Sequence, residues 1–519
     1  MSYFNAAQTK ITALLVGLLV CLGVNPSASA MTTNELNLSL GKVVGTTQDS
    51  VTAFYDIPYA KNPFTSELRF KAPQTYGKWD NTLDATNIGL PVPQPSRGRN
   101  VELVGAPGDL TLNIWIPENS SAAIEKRPVM AWIPGGAFIR EDAGEEVYNG
   151  TSFAQNDVIV VTINYRVGVD GFMHFKNAPD NRGILDQIMA LEWIQDHIAE
   201  FGGDPDNVTL FGQSAGAESI AILLGTEKAD GLFHRAIMQS PPMESLTKQE
   251  AERITLNFAQ QLGVAATTDG IASVPFPELV STVIDMGKTI QNRDDWGMIS
   301  WGGTAFLPVV DNNIITGSPM KNLANHASKV PVIVGSTDQE ARLYQVPSGA
   351  IDRVTKEQTD LFLKDLSLNG NPLAAYNQQN KEASIGDIFV NIQSDYTFRM
   401  PAVHIAEHLL NNGNEVWHFN FSWFSPAFGG RLGAAHFVDV PFVFNTIKSD
   451  EAKGFVGTEP PQSLADTMHN EWIQFAKFGT VSWTPYTLDT RPTMQFNNLS
   501  EQINDPGKAT RKLWAKYDY

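Results

Sequence analysis

The sequence predicts an α/β fold, a mostly parallel central sheet with helices on both faces. Three observations predict it. Apolar runs of strand length recur along the chain, at 110–116, 129–133, 158–164, 208–211, 236–239, 330–334 and 415–421. They are short and rich in Val and Ile, as strands buried on both faces tend to be. Amphipathic helices lie between them. The clearest spans 183–200, where Ile184, Ile188, Leu191, Ile194 and Ile198 recur at helical spacing. Such alternation of strand and helix implies a parallel sheet covered on both sides. Chemistry in such a sheet belongs at the carboxyl ends of its strands. Residues 340–400 are less regular and are expected to form a helical cap or gorge wall.

Composition narrows the class. The chain has 519 residues, 42% of them hydrophobic and 18% charged, with a formal net charge of −19. That is globular composition, and the acidic balance argues against nucleic acid or an anionic membrane surface as a partner. Residues 1–30 read as an export signal. Lys10 is their only charge, an apolar run follows at 11–24, and Ala28-Ser29-Ala30 offers a cleavage site. The run is too short to span a bilayer comfortably. The expected product therefore begins near Met31, is secreted or periplasmic, and has no membrane attachment. Its catalytic unit would be 31–519. The single cysteine, Cys21, lies inside that signal, so disulfides, thiol catalysis and Cys-ligated zinc are excluded once the signal is removed. No cofactor and no metal is expected.

Gly212-Gln213-Ser214-Ala215-Gly216 is a G-x-S-x-G pattern. Its serine belongs on a tight turn between a strand and a helix, with the flanking glycines letting neighbouring backbone approach. The context fits, because 208–211 reads as the strand and 218–224 as the helix. Ser214 is the candidate nucleophile.

Around this motif the chain resembles the type B carboxylesterases, the family that includes cholinesterases and bacterial p-nitrobenzyl esterases. The resemblance is carried by Ile57-Pro58-Tyr59-Ala60, Leu68-Arg69-Phe70-Lys71, Leu112-Asn113-Ile114-Trp115, Asn164-Tyr165-Arg166-Val167-Gly168, Phe201-Gly202-Gly203-Asp204-Pro205 and Trp472-Ile473-Gln474-Phe475-Ala476. It implies the α/β-hydrolase fold and hydrolysis of a small-molecule carboxylic ester. It also implies Glu340 as the acid, in Thr337-Asp338-Gln339-Glu340, and His436 as the base, in Gly433-Ala434-Ala435-His436. Asp338 is the rival acid. The order Ser214, Glu340, His436 is the one α/β-hydrolases use. Pro134-Gly135-Gly136-Ala137-Phe138 matches the family's oxyanion loop, which implies the N–H groups of Gly136, Ala137 and Ala215 as donors.

Departures from the family pattern shape the substrate expectation. The positions of a common family disulfide are Val92 and Asp109, and the loop between them, 93–108, lacks the tryptophan that cholinesterases use for choline. Gln213 replaces a glutamate beside the nucleophile. Phe437 replaces a small residue and is expected to narrow the pocket, and Phe138 is expected to line it. Arg97, Arg99, Arg140 and Arg431 are either ordinary surface arginines or gather at the mouth, where guanidinium groups would favour an ester bearing a free carboxylate. The Gly-Gly-Ala-Phe loop resembles that of family members accepting bulky alcohols, which implies the same acceptance here. Rival readings are an amidase or lactonase on the same machinery, a non-catalytic binding module, and a zinc peptidase using His404-Ile405-Ala406-Glu407-His408, an H-x-x-E-H pattern.

Overall fold

The computed structural model describes residues 31–98, 101–118, 126–379 and 381–519. The expected export signal and Arg99 lie outside them.

Twelve strands form one continuous sheet: β1 (Thr32–Leu38), β2 (Gly41–Gln48), β3 (Val51–Ala60), β4 (Leu110–Pro117), β5 (Arg127–Ile133), β6 (Ile159–Ile163), β7 (Gly203–Gln213), β8 (Arg235–Gln239), β9 (Val332–Thr337), β10 (Val416–Phe421), β11 (Pro492–Phe496) and β12 (Glu501–Asn504). Their spatial order is β1-β2-β3-β4-β6-β5-β7-β8-β9-β10-β11-β12, and a short strand, Leu83–Asp84, pairs with β2. From β6 to β11 every pairing is parallel. Antiparallel strands extend both ends of this block.

Side-chain alternation divides the interior into two cores. On β5, Val129, Ala131 and Ile133 join one core, while Met130 and Trp132 join the other. A strand with apolar residues on both faces demands cover on both faces. Helices supply it, among them α1 (Arg182–His197), α2 (Ala215–Leu224), α3 (Ile385–Ser394), α4 (Met400–Asn411) and α5 (Gln462–Phe478). The helix expected at 183–200 is α1 followed by a tighter turn, Ile198–Phe201, which ends where Gly202 turns left-handed at φ 86°. Residues 340–400 are indeed helical in short pieces, including Lys356–Leu366 and α3. No helix among the described residues is long and apolar enough to cross a membrane.

Candidate active site

Ser214 sits between the end of β7 and the start of α2, with φ 58° and ψ −128°. A non-glycine residue there is strained and needs its surroundings to hold it. Its N–H donates to the Gln239 carbonyl at the end of β8 (2.9 Å), and its carbonyl accepts from Glu218 N (2.9 Å). The glycines of the motif have a steric reason. A Cβ on Gly216 would overlap the Ile133 carbonyl oxygen, and one on Gly212 would crowd both that oxygen and Gly216.

Glu340 follows β9 and is fully buried. Its Oε2 meets His436 Nδ1 at 2.6 Å. Its Oε1 accepts from Ser240 Oγ (2.6 Å) and from Thr337 N (2.7 Å). A carboxylate on Nδ1 fixes the tautomer with the proton on that nitrogen, leaving Nε2 as an acceptor. Gln213 Nε2 donates to it at 2.9 Å. Among the described residues no hydrogen bond joins Ser214 Oγ to the ring. Phe398 covers the imidazole with ring centroids 4.3 Å apart, and Tyr344 stands 5.8 Å away. Asp338, the rival acid, instead accepts from Asn420 Nδ2 at 2.8 Å.

The loop after β5 is equally constrained. Gly136, Ala137 and Phe138 take φ of 129°, 56° and 57° in succession. Tyr165 OH donates to the Pro134 carbonyl (2.8 Å), and Gly168 N donates to the Phe138 carbonyl (2.6 Å). These bonds pin the loop at both ends. Among the described residues, no backbone carbonyl takes the N–H of Gly136, Ala137 or Ala215. Ala137, Phe138, Ser214 and Ala215 line one cavity of about 650 Å³, walled by Trp301 and Phe398 among others.

A family model described as the carboxylesterase family matches residues 32–514. The chain belongs to the carboxylesterase family. It is 34% identical to the para-nitrobenzyl esterase of Bacillus subtilis, over 93% of this chain and 98% of that one. It is 30% identical to the phenmedipham hydrolase of Pseudarthrobacter oxydans, over 92% and 97%. Among solved structures, a carboxylesterase of Geobacillus stearothermophilus aligns with a TM-score of 0.81 at 31% identity, covering 92% of this chain and 99% of that one. A PNB esterase structure aligns at 0.80 with 33% identity, covering 93% and 99%. The chain is therefore a carboxylic ester hydrolase of the α/β-hydrolase fold.

Several expectations about this carboxylesterase's pocket need correction. Arg97 and Arg140 line a separate groove that shares no residue with the cavity beside Ser214. Arg97 is drawn there by Glu145 at 2.5 Å, and Arg431 pairs with Asp352 at 2.5 Å. Arg97, Arg140 and Arg431 do not converge on the serine. Phe437 does not narrow the pocket. It is buried, with φ 75°, against Phe455 at 4.9 Å. Val92 is packed in the core, and Asp109 accepts from Asn62 N at 2.8 Å, so each half of the replaced disulfide has its own local role. Glu407 of the H-x-x-E-H helix is held by Arg491 at 3.0 Å, and the His404 ring abuts Tyr519. Ser240, Tyr344, Phe398, Glu218 and Glu244 carry no motif that announces them. Only the packed chain brings them to the site.

Proposed function

We propose that the protein is an exported serine esterase in which Ser214, His436 and Glu340 form the catalytic triad. The observation that carries this is the 2.6 Å contact between His436 Nδ1 and Glu340 Oε2, beside a serine on a strained strand-to-helix turn. On substrate entry the Gln213 amide yields Nε2 to the Ser214 hydroxyl. His436 takes the hydroxyl proton as Oγ attacks the ester carbonyl. The N–H groups of Gly136, Ala137 and Ala215, free of backbone acceptors, stabilise the oxyanion. The imidazolium then protonates the leaving alcohol. Water, deprotonated by the same nitrogen, releases the acid and restores the serine. Glu340 orients the ring and stabilises its charge throughout. The cavity of about 650 Å³ supports the acceptance of bulky esters.

Hydrolysis of p-nitrophenyl acetate and butyrate tests the assignment. Ser214→Ala should lower kcat by at least about 10³-fold, as loss of a nucleophile does. Equal rates in the two proteins would overturn it. Removal of 1–30 is tested by the N-terminal sequence of the processed protein, expected at Met31.

A further inference from the structure

Two carboxyl groups in the wall of the cavity beside Ser214 have no part in the mechanism. Glu218 lies one turn along α2 from the serine and is fully buried. Both of its carboxylate oxygens are buried without a well-formed hydrogen bond, with the Glu244 backbone N–H facing them as a weak donor. Buried carboxylates are costly unless something pairs with them. Glu244, after β8, lines the same cavity. Burial raises its carboxyl to about 7, and burial together with Glu244 pushes Glu218 well above the usual carboxylate range. Among the described residues the one basic side chain lining the cavity is Arg293, which is already matched by Asp365 through two hydrogen bonds of 2.5 Å. Five aromatic rings, from Phe138, Trp301, Tyr344, Phe389 and Phe398, also line the cavity.

An acyl group on Ser214 that extends past α2 meets these features in order. A primary ammonium carries three N–H donors, which match the buried oxygens, and aromatic faces favour a cation. The four-residue rise from Ser214 to Glu218 is about 6 Å. We infer that Glu218 and Glu244 form a cation subsite that selects esters whose acyl chain carries a primary ammonium about six bonds from the carbonyl. This deepens the esterase reading and rests on Ser214 as nucleophile. It reverses the preference for free carboxylates that arginines at the mouth would give. It also differs from choline recognition, because a quaternary ammonium has no N–H to offer the two carboxylates.

The test compares three p-nitrophenyl esters: 6-aminohexanoate, its trimethylammonium analogue, and the neutral heptanoate. Wild-type kcat/KM should favour the primary ammonium over heptanoate by about tenfold or more, the value of a charge-assisted hydrogen bond. Glu218→Gln and Glu244→Gln should each bring that ratio towards one, with thermal unfolding confirming that the variants fold. The wild-type comparison stands without any variant. A ratio at or below one overturns the inference, as do equal use of the two cations and a preference that neither substitution moves. Heptanoate turnover by the wild type reports on the esterase reading separately.

Discussion

Gln213 holds a neutral amide 2.9 Å from His436 Nε2, the nitrogen that accepts the serine proton in the proposed mechanism. A carboxylate at that place would favour the imidazolium over the neutral ring. Gln213→Glu should therefore move the acid limb of kcat/KM against pH upward by about one unit. The neutral ring would then be lost at a higher pH, and a profile from pH 4 to 9 checks it. The residues themselves were partly legible. Ser214, Glu340 and His436 stand in short motifs that survive without the fold, and the structure brings Glu340, not Asp338, to the ring. Ser240 is 100 positions from Glu340, and nothing in its neighbours foretells the 2.6 Å bond. The arginines left two readings open because charge in a sequence carries no direction. Arg97 and Arg431 are spent on local acidic partners.

Among the elements, the β7–Ser214–α2 unit is the most tightly specified. Gly216 has the Ile133 carbonyl where a side chain would go. Gly216→Ala should displace α2 from β5 and cost about 3 kcal/mol, at the upper end for overpacking. It should lower the thermal midpoint and the turnover together. Strands β5 to β10 of the parallel block were readable because they are buried on both faces, whereas β11, with two half-buried residues at its centre, was not. The run expected at 129–133 is Arg127–Ile133, and that expected at 236–239 is Arg235–Gln239. The antiparallel strands β1 to β3 went unread. β1 alternates between exposed and half-buried residues and presents Asn34, Glu35 and Asn37, so its pairing comes from β2 rather than from its own hydrophobicity. The same holds at the other edge for β12, which is mostly exposed.

On the scale of the whole molecule, burial of titratable groups couples stability to pH. His418 on β10 is buried, its Nε2 lacks a partner, and burial lowers its pKa to about 4. The unfolded ring titrates near 6.5, so between 6.5 and 4 the unfolded chain binds a proton that the native one does not. That difference removes about 3 kcal/mol of stability as pH falls across this window, with no further loss below it. His418→Gln should flatten this part of the dependence, read as the difference between urea unfolding curves of the two proteins at pH 4 and pH 7.

Left-handed backbone occurs at Ala137, Phe138, Ser214, Ser240 and Phe437, at or beside the residues proposed to carry the chemistry. Each such position costs about 1–3 kcal/mol that the rest of the fold must offset. A screen that selects survivors of heating, blind to turnover, will therefore be drawn to this loop. Glycine at the exposed position 137 relaxes the backbone without removing a core side chain, and it loosens the N–H groups proposed to face the oxyanion. Heat resistance and catalytic rate are set against each other at the same few peptide bonds, so hardening this enzyme for use should begin at the distant edge strands.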